Sequence, residues 1–121
     1  MIKQVEAICL LVNNLTVSRE FYETKLGLQV SITDSGFVEY KLGETPLALF
    51  EQAEAVAMFP AKYMIKPGGA VIALKVSNIL KLCKELQLAG IEIFEGPKKV
   101  PWGQTVAYLH DPDGHIIELT S

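Results

Sequence analysis

The sequence predicts an α+β fold in which a βαβββ module occurs twice along one chain. Residues 5–51 contain an apolar segment, an amphipathic segment and three short apolar segments, in that order and separated by turn residues. After Pro67-Gly68-Gly69 the same order returns. A repeat of this length indicates one structural unit used twice. We therefore expect a single domain with module one at about 1–51, a linker at about 52–67 and module two at about 68–121.

The composition indicates one folded domain. The chain has 121 residues, of which 50% are hydrophobic and 21% are charged, and its net charge is -3. This length allows a hydrophobic core, and this composition is too apolar for a disordered chain. Because acidic and basic residues are interspersed, the surface offers no positive field to phosphate backbones or anionic lipids. We expect neither nucleic acid nor a membrane as a partner.

The N-terminus and the cysteines favour the cytoplasm. The first residues lead directly into a strand-like segment without the pattern of a signal peptide, and no apolar run approaches the roughly 20 residues that span a bilayer. Cys9 lies in an apolar run and Cys83 at helical spacing, both outside any CxxC or Cys/His pattern. Both are predicted to be small buried side chains.

Module one is predicted to begin with a strand and a helix. Residues 5–12 are nearly all apolar, which is typical of a strand buried on both faces. Asn13-Asn14 supplies turn and helix-cap side chains. The helix is predicted at 16–26, with its apolar residues on one face, and Gly27 stands at the expected C-cap.

Three strands are predicted to complete module one. They lie at 28–33, 37–42 and 47–51, and the turn signals Asp34-Ser35-Gly36 and Gly43-Glu44 separate them. The residues that follow fit neither module and include apolar side chains, namely Met58, Phe59, Pro60, Tyr63 and Met64. They are predicted to form a linker that covers a sheet edge or packs on a partner chain.

Module two repeats this order. A strand is predicted at 70–76, a helix at 79–89 with Asn78 as its cap and Gly90 after it, and strands at 91–94, 105–110 and 116–120. Asn14 and Asn78 are 64 residues apart, whereas Gly27 and Gly90 are 63 apart. One residue of slippage is consistent with a diverged duplication.

Two motifs carry a resemblance that covers almost the whole chain. The opening motif consists of Val12-Asn13-Asn14-Leu15, Ser18, Phe21-Tyr22 and Leu26-Gly27-Leu28, and the closing motif is Asp111-Pro112-Asp113-Gly114-His115-Ile116-Ile117-Glu118-Leu119. Together they resemble the vicinal-oxygen-chelate superfamily, which includes glyoxalases, bleomycin-resistance proteins and extradiol dioxygenases. Asn14 replaces the Asp that is usual there. The resemblance implies that the two modules form a curved mixed-sheet cup.

The closing motif also has a structural interpretation of its own. Pro112 fixes one backbone angle, Asp111 and Asp113 accept turn hydrogen bonds, and Gly114 supplies a positive φ between two apolar strands. These residues predict a tight hairpin without a chemical role. The flanking His110 and His115 are expected to be solvated or anchored to the turn.

The resemblance places four metal-ligand positions on this chain. They fall on Ala7, Leu49, Val71 and Glu118, of which only Glu118 has a donor atom. We therefore predict neither a metal nor another cofactor. An alternative is a relocated site made of Glu51, Glu118 and Cys9, although a thiolate beside two carboxylates is an unusual donor set.

Glu118 needs an explanation, because a carboxylate between two apolar residues is costly to bury unless it is paired. One interpretation makes it a ligand contact and a weak candidate for an acid or base. The other leaves it facing solvent or paired with a lysine such as Lys75. The sequence leaves both open.

A loop with the only tryptophan is a further candidate for ligand binding. Trp102-Gly103 resembles the loop of bleomycin-resistance-type members, and this resemblance implies a homodimer with cavities at its interface. Trp102 can stack on a planar ligand, or it can simply fill the interface or the floor of the cup. The predicted ligand-contacting residues are Trp102, Glu118, Glu51, Phe37, Tyr63, Tyr108, Ala7, Leu49 and Val71. The aromatic ones among them can equally be ordinary core residues.

Four functions follow from these observations. We favour a small-molecule-binding protein without the usual metal, of the kind that confers antibiotic resistance. The alternative is a metal-dependent lyase, isomerase or dioxygenase of glyoxalase type with relocated ligands. A metal-free enzyme that uses Glu118 as acid or base, and an interaction domain without a cavity, are weaker possibilities. The fold by itself does not decide among them.

Overall fold

The computed structural model describes residue 1 and residues 3–57, 70–101 and 103–121. The chain divides into two compact units, Met1–Pro67 and Gly68–Ser121. Each unit contains one four-stranded mixed sheet. The predicted α+β class with two tandem modules is confirmed, while the assignment of both modules to a single domain stays a prediction.

Unit one follows the βαβββ order. Its strands are β1 (Ile8–Val12), β2 (Val30–Asp34), β3 (Phe37–Tyr40) and β4 (Leu47–Glu51). Helix α1 (Leu15–Arg19) continues into a π-helical segment, Glu20–Lys25, and a short helix α2 (Gln52–Ala55) follows β4. The strand order is β1-β4-β3-β2, with β1 parallel to β4 and the other pairs antiparallel.

Unit two has the same topology. It consists of β5 (Val71–Lys75), α3 (Ile79–Leu88), β6 (Glu95–Lys99), β7 (Thr105–His110) and β8 (Ile116–Thr120). The strand order is β5-β8-β7-β6, again with one parallel pair, β5 and β8. None of the helices in the described parts of the chain could span a lipid bilayer.

The helix ends are set by the residues that the sequence indicated. Oδ1 of Asn14 accepts a hydrogen bond of 3.1 Å from the Val17 amide, and Oδ1 of Asn78 accepts one of 3.1 Å from the Lys81 amide. Each satisfies a backbone donor in the first turn of its helix. Gly27, with φ of 75°, ends the first helix. Both caps and this helix end are confirmed.

One face of each sheet is buried against its helix. In unit one this core includes Val12, Tyr22, Val38, Tyr40 and Leu49, all fully buried. The rings of Tyr22 and Tyr40 lie 6.1 Å apart, which places the first helix over this face. In unit two the corresponding core includes Leu86, Ala107, Leu109, Ile117 and Leu119.

The hydroxyl of Tyr40 is satisfied within the core of unit one. It donates a hydrogen bond of 2.9 Å to Oε2 of Glu23, and the guanidinium of Arg19 binds the same carboxylate at 2.5 and 3.2 Å. These interactions lower the pKa of Glu23, chiefly because Arg19 donates hydrogen bonds to the charged carboxylate. Burial of the phenol raises the pKa of Tyr40, and the bond to Glu23 raises it further.

The sixth strand lies further along the chain than predicted. We placed it at 91–94 because those residues are apolar, but it spans Glu95–Lys99. The amide of Ile91 bonds instead to the carbonyl of Leu86 at 2.9 Å, which holds this residue at the end of α3. Lys98 and Lys99 are in register with Val106 and Thr105 of β7. The prediction was wrong because this edge strand is polar and fully exposed.

The first strand is also less buried than predicted. It begins at Ile8, and only Leu10 and Val12 are buried, so a single face is covered. Cys9 is exposed, which contradicts its assignment to the core, whereas Cys83 is buried as predicted. In the predicted linker, Ala55 of α2 is fully buried. The rest of that segment, 58–69, lies outside the described residues.

Candidate functional site

The two faces of the sheet in unit two differ in what covers them. Ile117 and Leu119 of β8 are buried, and α3 contacts the neighbouring β7 and β6. Side chains alternate along a strand, so Glu118 belongs to the opposite face. Its partners across the sheet are Ala73 on β5 and Tyr108 on β7. We call the surface formed by Ala73, Glu118, Tyr108, Phe94 and His110 the open face.

A hydrogen bond joins two strands across the open face. The hydroxyl of Tyr108 donates to Oε2 of Glu118 at a distance of 2.5 Å. This bond raises the pKa of the phenol, because ionised Tyr108 would lose the bond and would face the charge of Glu118; partial burial and the charge of Glu95 act in the same direction. Tyr108 is therefore held as a neutral donor to a carboxylate.

Aromatic rings continue the open face beside this pair. The ring of Phe94 lies 6.0 Å from that of Tyr108, and it stacks on the imidazole of His110 at 4.3 Å with 16° between the planes. Phe94 is 40% exposed although it is a large apolar side chain. The face thus presents flat apolar surface to solvent next to a carboxylate, an arrangement suited to a planar ligand.

Glu118 has a different partner from the one considered in the sequence. Lys75 is in register with Thr120, and in the described parts of the chain no ion pair joins Lys75 to Glu118. Glu118 instead accepts a hydrogen bond from Tyr108. Both residues were named as ligand contacts, but the bond between them was missed. The register of the closing hairpin carries that signal, because its two strands pair His110 with Ile116 and hence Tyr108 with Glu118.

One of the four predicted metal-ligand positions has to be corrected. Leu49 is fully buried on the face that the helix covers, whereas Ala48 pairs with Glu39 as Glu118 pairs with Tyr108. The counterpart of Glu118 in unit one is therefore Ala48, and Leu49 corresponds to the buried Leu119. A shift of one residue moves a side chain to the other face of a strand.

The residues at these positions do not fit a divalent cation. Ala7 and Val71 are exposed, and the side chains of Ala7, Ala48 and Val71 have no donor atom. Glu118 alone supplies an oxygen, whereas such an ion generally takes three or more protein donors. No chemical step through a metal can be derived from this set.

The alternative relocated site is not assembled either. Oε2 of Glu51 accepts a hydrogen bond of 2.8 Å from the amide of Leu15, so this side chain satisfies the first turn of α1. Glu51 is in register with the buried Val12, and Cys9 is in register with Ala48. Glu51 and Cys9 therefore lie on opposite faces of their sheet. Glu51 therefore caps a helix, while its role as a ligand contact stays a prediction.

A second group of possible metal donors lies in the closing hairpin. Donor atoms of Asp111, Asp113 and His115 are within 4.8 Å of one another. Asp111 is buried, and its carboxylate accepts hydrogen bonds from the amides of Asp113 at 3.0 Å and His115 at 2.8 Å. Its second oxygen lies 2.7 Å from Nδ1 of His115. These contacts are those of the predicted turn, with His115 anchored to it.

The remaining predicted contacts fall in unit one or outside the described residues. Phe37 is half-buried and meets Phe50 edge to face at 5.7 Å, on the same face of the sheet as Ala48. Trp102 and Tyr63 lie outside the described residues. Glu39, which sequence reasoning missed, occupies the position that corresponds to Tyr108 and accepts a hydrogen bond of 3.3 Å from Ser31.

Comparisons with known proteins agree with this architecture. The model of the glyoxalase-like domain family matches residues 5–121. The chain belongs to this family. The uncharacterized protein YraH of Bacillus subtilis (strain 168) is 30% identical over 120 residues, which cover 93% of either chain. The resemblance to the vicinal-oxygen-chelate superfamily, predicted from the opening and closing motifs, is confirmed.

Two solved structures place this glyoxalase-like chain among diverse relatives. A glyoxalase/bleomycin resistance protein/dioxygenase from Nocardioides is 27% identical, with a TM-score of 0.78 over 99% of this chain and 83% of that one. TnmS3, an antibiotic binding protein from Streptomyces sp. CB03234, is 26% identical, with a TM-score of 0.76 over 98% of this chain and 94% of that one. The names of these two neighbours point to different functions, so the site of this chain has to decide between them.

Proposed function

We propose that this glyoxalase-like protein binds a planar small molecule on the open face of unit two, without a catalytic metal. The observation that carries the proposal is the contact between Tyr108 and Glu118 beside the exposed ring of Phe94. It combines aromatic area for stacking with a polar pair that can orient a ligand. The likeness to TnmS3, an antibiotic binding protein, supports a binding function. We extend the proposal to antibiotic resistance because the closing motif and the Trp102 loop resemble bleomycin-resistance proteins.

The donor set favours binding over metal-dependent chemistry. The positions that the family uses for ligands carry Ala7, Ala48 and Val71 beside Glu118, and Glu51 caps a helix. A lyase, isomerase or dioxygenase of glyoxalase type would need further donors on this face. For a metal-free enzyme, Glu118 has Tyr108 as its neighbour but no third group that would set up proton transfer among the described residues.

The same proposal includes the assembly and the location of the protein. We infer a homodimer, because bleomycin-resistance-type proteins, which the loop at Trp102 resembles, build their cavities between two chains. We also infer that the protein is located in the cytoplasm. Nucleic acid and membrane surfaces are excluded from the proposal, since the net charge of -3 gives no attraction to either. Sedimentation velocity at several protein concentrations tests the dimer, and a monomer throughout would refute it.

The binding site can be mapped with neutral aromatic probes. We would titrate 2-naphthalenemethanol and flavone into ¹⁵N-labelled protein and follow amide shifts. The proposal expects the largest shifts at β7 and β8 and a loss of affinity of about tenfold in Phe94→Ala, because a ring that stacks on the probe is removed. Leu80→Ala is the matched control, as Leu80 is an exposed apolar residue on α3. Shifts confined to other elements, or equal losses in both variants, would refute the site.

A further inference from the structure

We propose that the ligand of the open face is an organic cation, in which an aromatic ring lies against Phe94 and Tyr108 and an ammonium group binds Glu118. This inference rests on the proposed function and adds the charge of the ligand to it. It follows from three features of the open face: an oxygen of Glu118 that no donor among the described residues reaches, the absence of an ion pair to Glu118 among those residues, and aromatic surface beside Tyr108.

The first feature is the incomplete hydrogen bonding of Glu118. A carboxylate has two oxygens and room for about four hydrogen bonds. Oε2 accepts from Tyr108, and among the described residues no donor reaches Oε1. The partner of Oε2 is a hydroxyl, which brings no positive charge to the carboxylate. A charged hydrogen-bond donor from a ligand would satisfy this half-buried group better than a neutral one.

The second feature is the balance of charge around this carboxylate. Glu95 on β6 is in register with Tyr108, so two carboxylates flank one phenol. Lys98 lies 3.3 Å from Glu95, and both side chains of that ion pair are about half exposed. Lys75 stands two residues beyond the β5 partner of Glu118, beside Thr120. No positive group of the described chain therefore neutralises Glu118 directly, and an anionic ligand would meet repulsion there.

The third feature is the position of the aromatic rings. The rings of Phe94 and Tyr108 lie 6.0 Å apart, and the hydroxyl of Tyr108 contacts Glu118. A cation within about 6 Å of a ring centroid is attracted by the negative face of the ring. The ring of a ligand can stack on exposed Phe94 while its ammonium group binds Oε1 of Glu118, because the Tyr108 hydroxyl already occupies Oε2. The open face thus offers an aromatic cation both a ring and a carboxylate.

Three naphthalenes with one ring system and different charges test the inference. They are 2-naphthylmethylamine, which is cationic at pH 7, the neutral 2-naphthalenemethanol and the anionic 2-naphthoate. Isothermal titration of the wild-type protein is expected to rank their affinities in that order, with the cation at least about tenfold tighter than the alcohol, as for a hydrogen bond between charged groups. Sodium chloride should weaken only the binding of the amine.

Two variants locate the effect. Glu118→Gln is expected to remove the advantage of the amine over the alcohol. Glu85→Gln makes the same change of charge on α3 and is expected to leave both affinities unchanged. Amide spectra of each variant establish that it is folded.

The outcomes separate this inference from the proposed function. Equal affinity for the amine and the alcohol, or an equal loss in both glutamine variants, would overturn the cation inference while small-molecule binding stands. If neither the amine nor the naphthoate binds but the neutral probes do, the cation inference is likewise wrong. If no probe of any charge binds, both proposals fail.

Discussion

The hydroxyl of Tyr108 donates a 2.5 Å hydrogen bond to Glu118, from β7 to its antiparallel neighbour β8. Both residues stand the same number of residues from the turn between β7 and β8, so the register of this hairpin places them in contact. On the other face of the same strands, Leu109 and Ile117 are buried in the core. The two strands therefore bury apolar side chains on one face and hold a half-buried polar pair on the other.

The first prediction concerns the ionisation of Tyr108. Glu118→Gln should lower the pKa of this phenol towards the ordinary value of about 10, because the carboxylate that opposes ionisation is gone. Since the folded state raises this pKa, the bond stabilises the wild-type protein below about pH 10 and is lost as the pH rises further. The pKa of Tyr108 is measured from the ring ¹³C shifts of labelled tyrosine as the pH is raised, and the Tyr108→Phe variant assigns the signal. An unchanged titration in Glu118→Gln would contradict the bond.

The second prediction concerns the carboxylate that Arg19 and Tyr40 share. Its pKa is lowered by folding, so the interactions of Glu23 stabilise the protein above about pH 4.3 and are lost as the pH falls through the lower folded value. Glu23→Gln should cost about 0.5–1 kcal/mol at pH 7, a modest amount because the pair is partly exposed.

Urea denaturation at pH 7 and pH 3 measures this effect. The difference between Glu23→Gln and the wild-type protein should shrink at pH 3. Glu20→Gln removes the same charge from the same segment and should change stability less at pH 7. A difference between Glu23→Gln and wild type that is the same at both pH values would count against an ionic origin.

The third prediction compares two glycines in turns. Gly36 and Gly43 have φ of 67° and 60°, so alanine at either position is strained by about 1–2 kcal/mol. At Gly36 an added Cβ would also collide with Cβ and Cγ of Glu54, whereas at Gly43 nothing lies within 4 Å. Gly36→Ala should therefore lower the free energy of unfolding more than Gly43→Ala. Equal losses would show that α2 does not pack against this turn.

The fourth prediction tests the duplicated helix caps. Asn14→Ala and Asn78→Ala each remove a 3.1 Å bond to an amide of the first turn, and each should cost about 1 kcal/mol. Replacement by Asp or Ser should restore most of the loss, because both side chains accept the same bond. Chemical denaturation measures the free energy of unfolding of each alanine variant and of the Asp and Ser variants at the same position. A serine variant no more stable than the alanine variant would contradict the capping role.

Most of the fold could be predicted because it depends on local patterns. The caps Asn14 and Asn78, the helix end at Gly27 and the strands 105–110 and 116–120 follow from the periodicity of apolar residues and from turn chemistry. The strand Glu95–Lys99 could not be predicted in this way. It contains Gly96 and Pro97, and it exists because β7 offers backbone groups to pair with.

The site was harder to predict because it depends on register between strands. Leu49 and Ala48 differ by one position, and the sequence offsets of 64 and 63 left that position undecided. Only the pairing of Ala48 with Glu39 and Cys9 fixes which residue corresponds to Glu118. In the same way, the sequence made Glu51 a candidate ligand, whereas its bond to the Leu15 amide places it over the start of a helix.

Binding without a metal is tested by the affinity of purified protein for 2-naphthalenemethanol before and after treatment with EDTA, with bound metals determined by elemental analysis of the same samples. We expect equal affinities, no stoichiometric metal and no gain on adding Zn²⁺, Ni²⁺, Mn²⁺ or Fe²⁺. Stoichiometric metal, together with binding that EDTA abolishes and one of these ions restores, would refute metal-free binding.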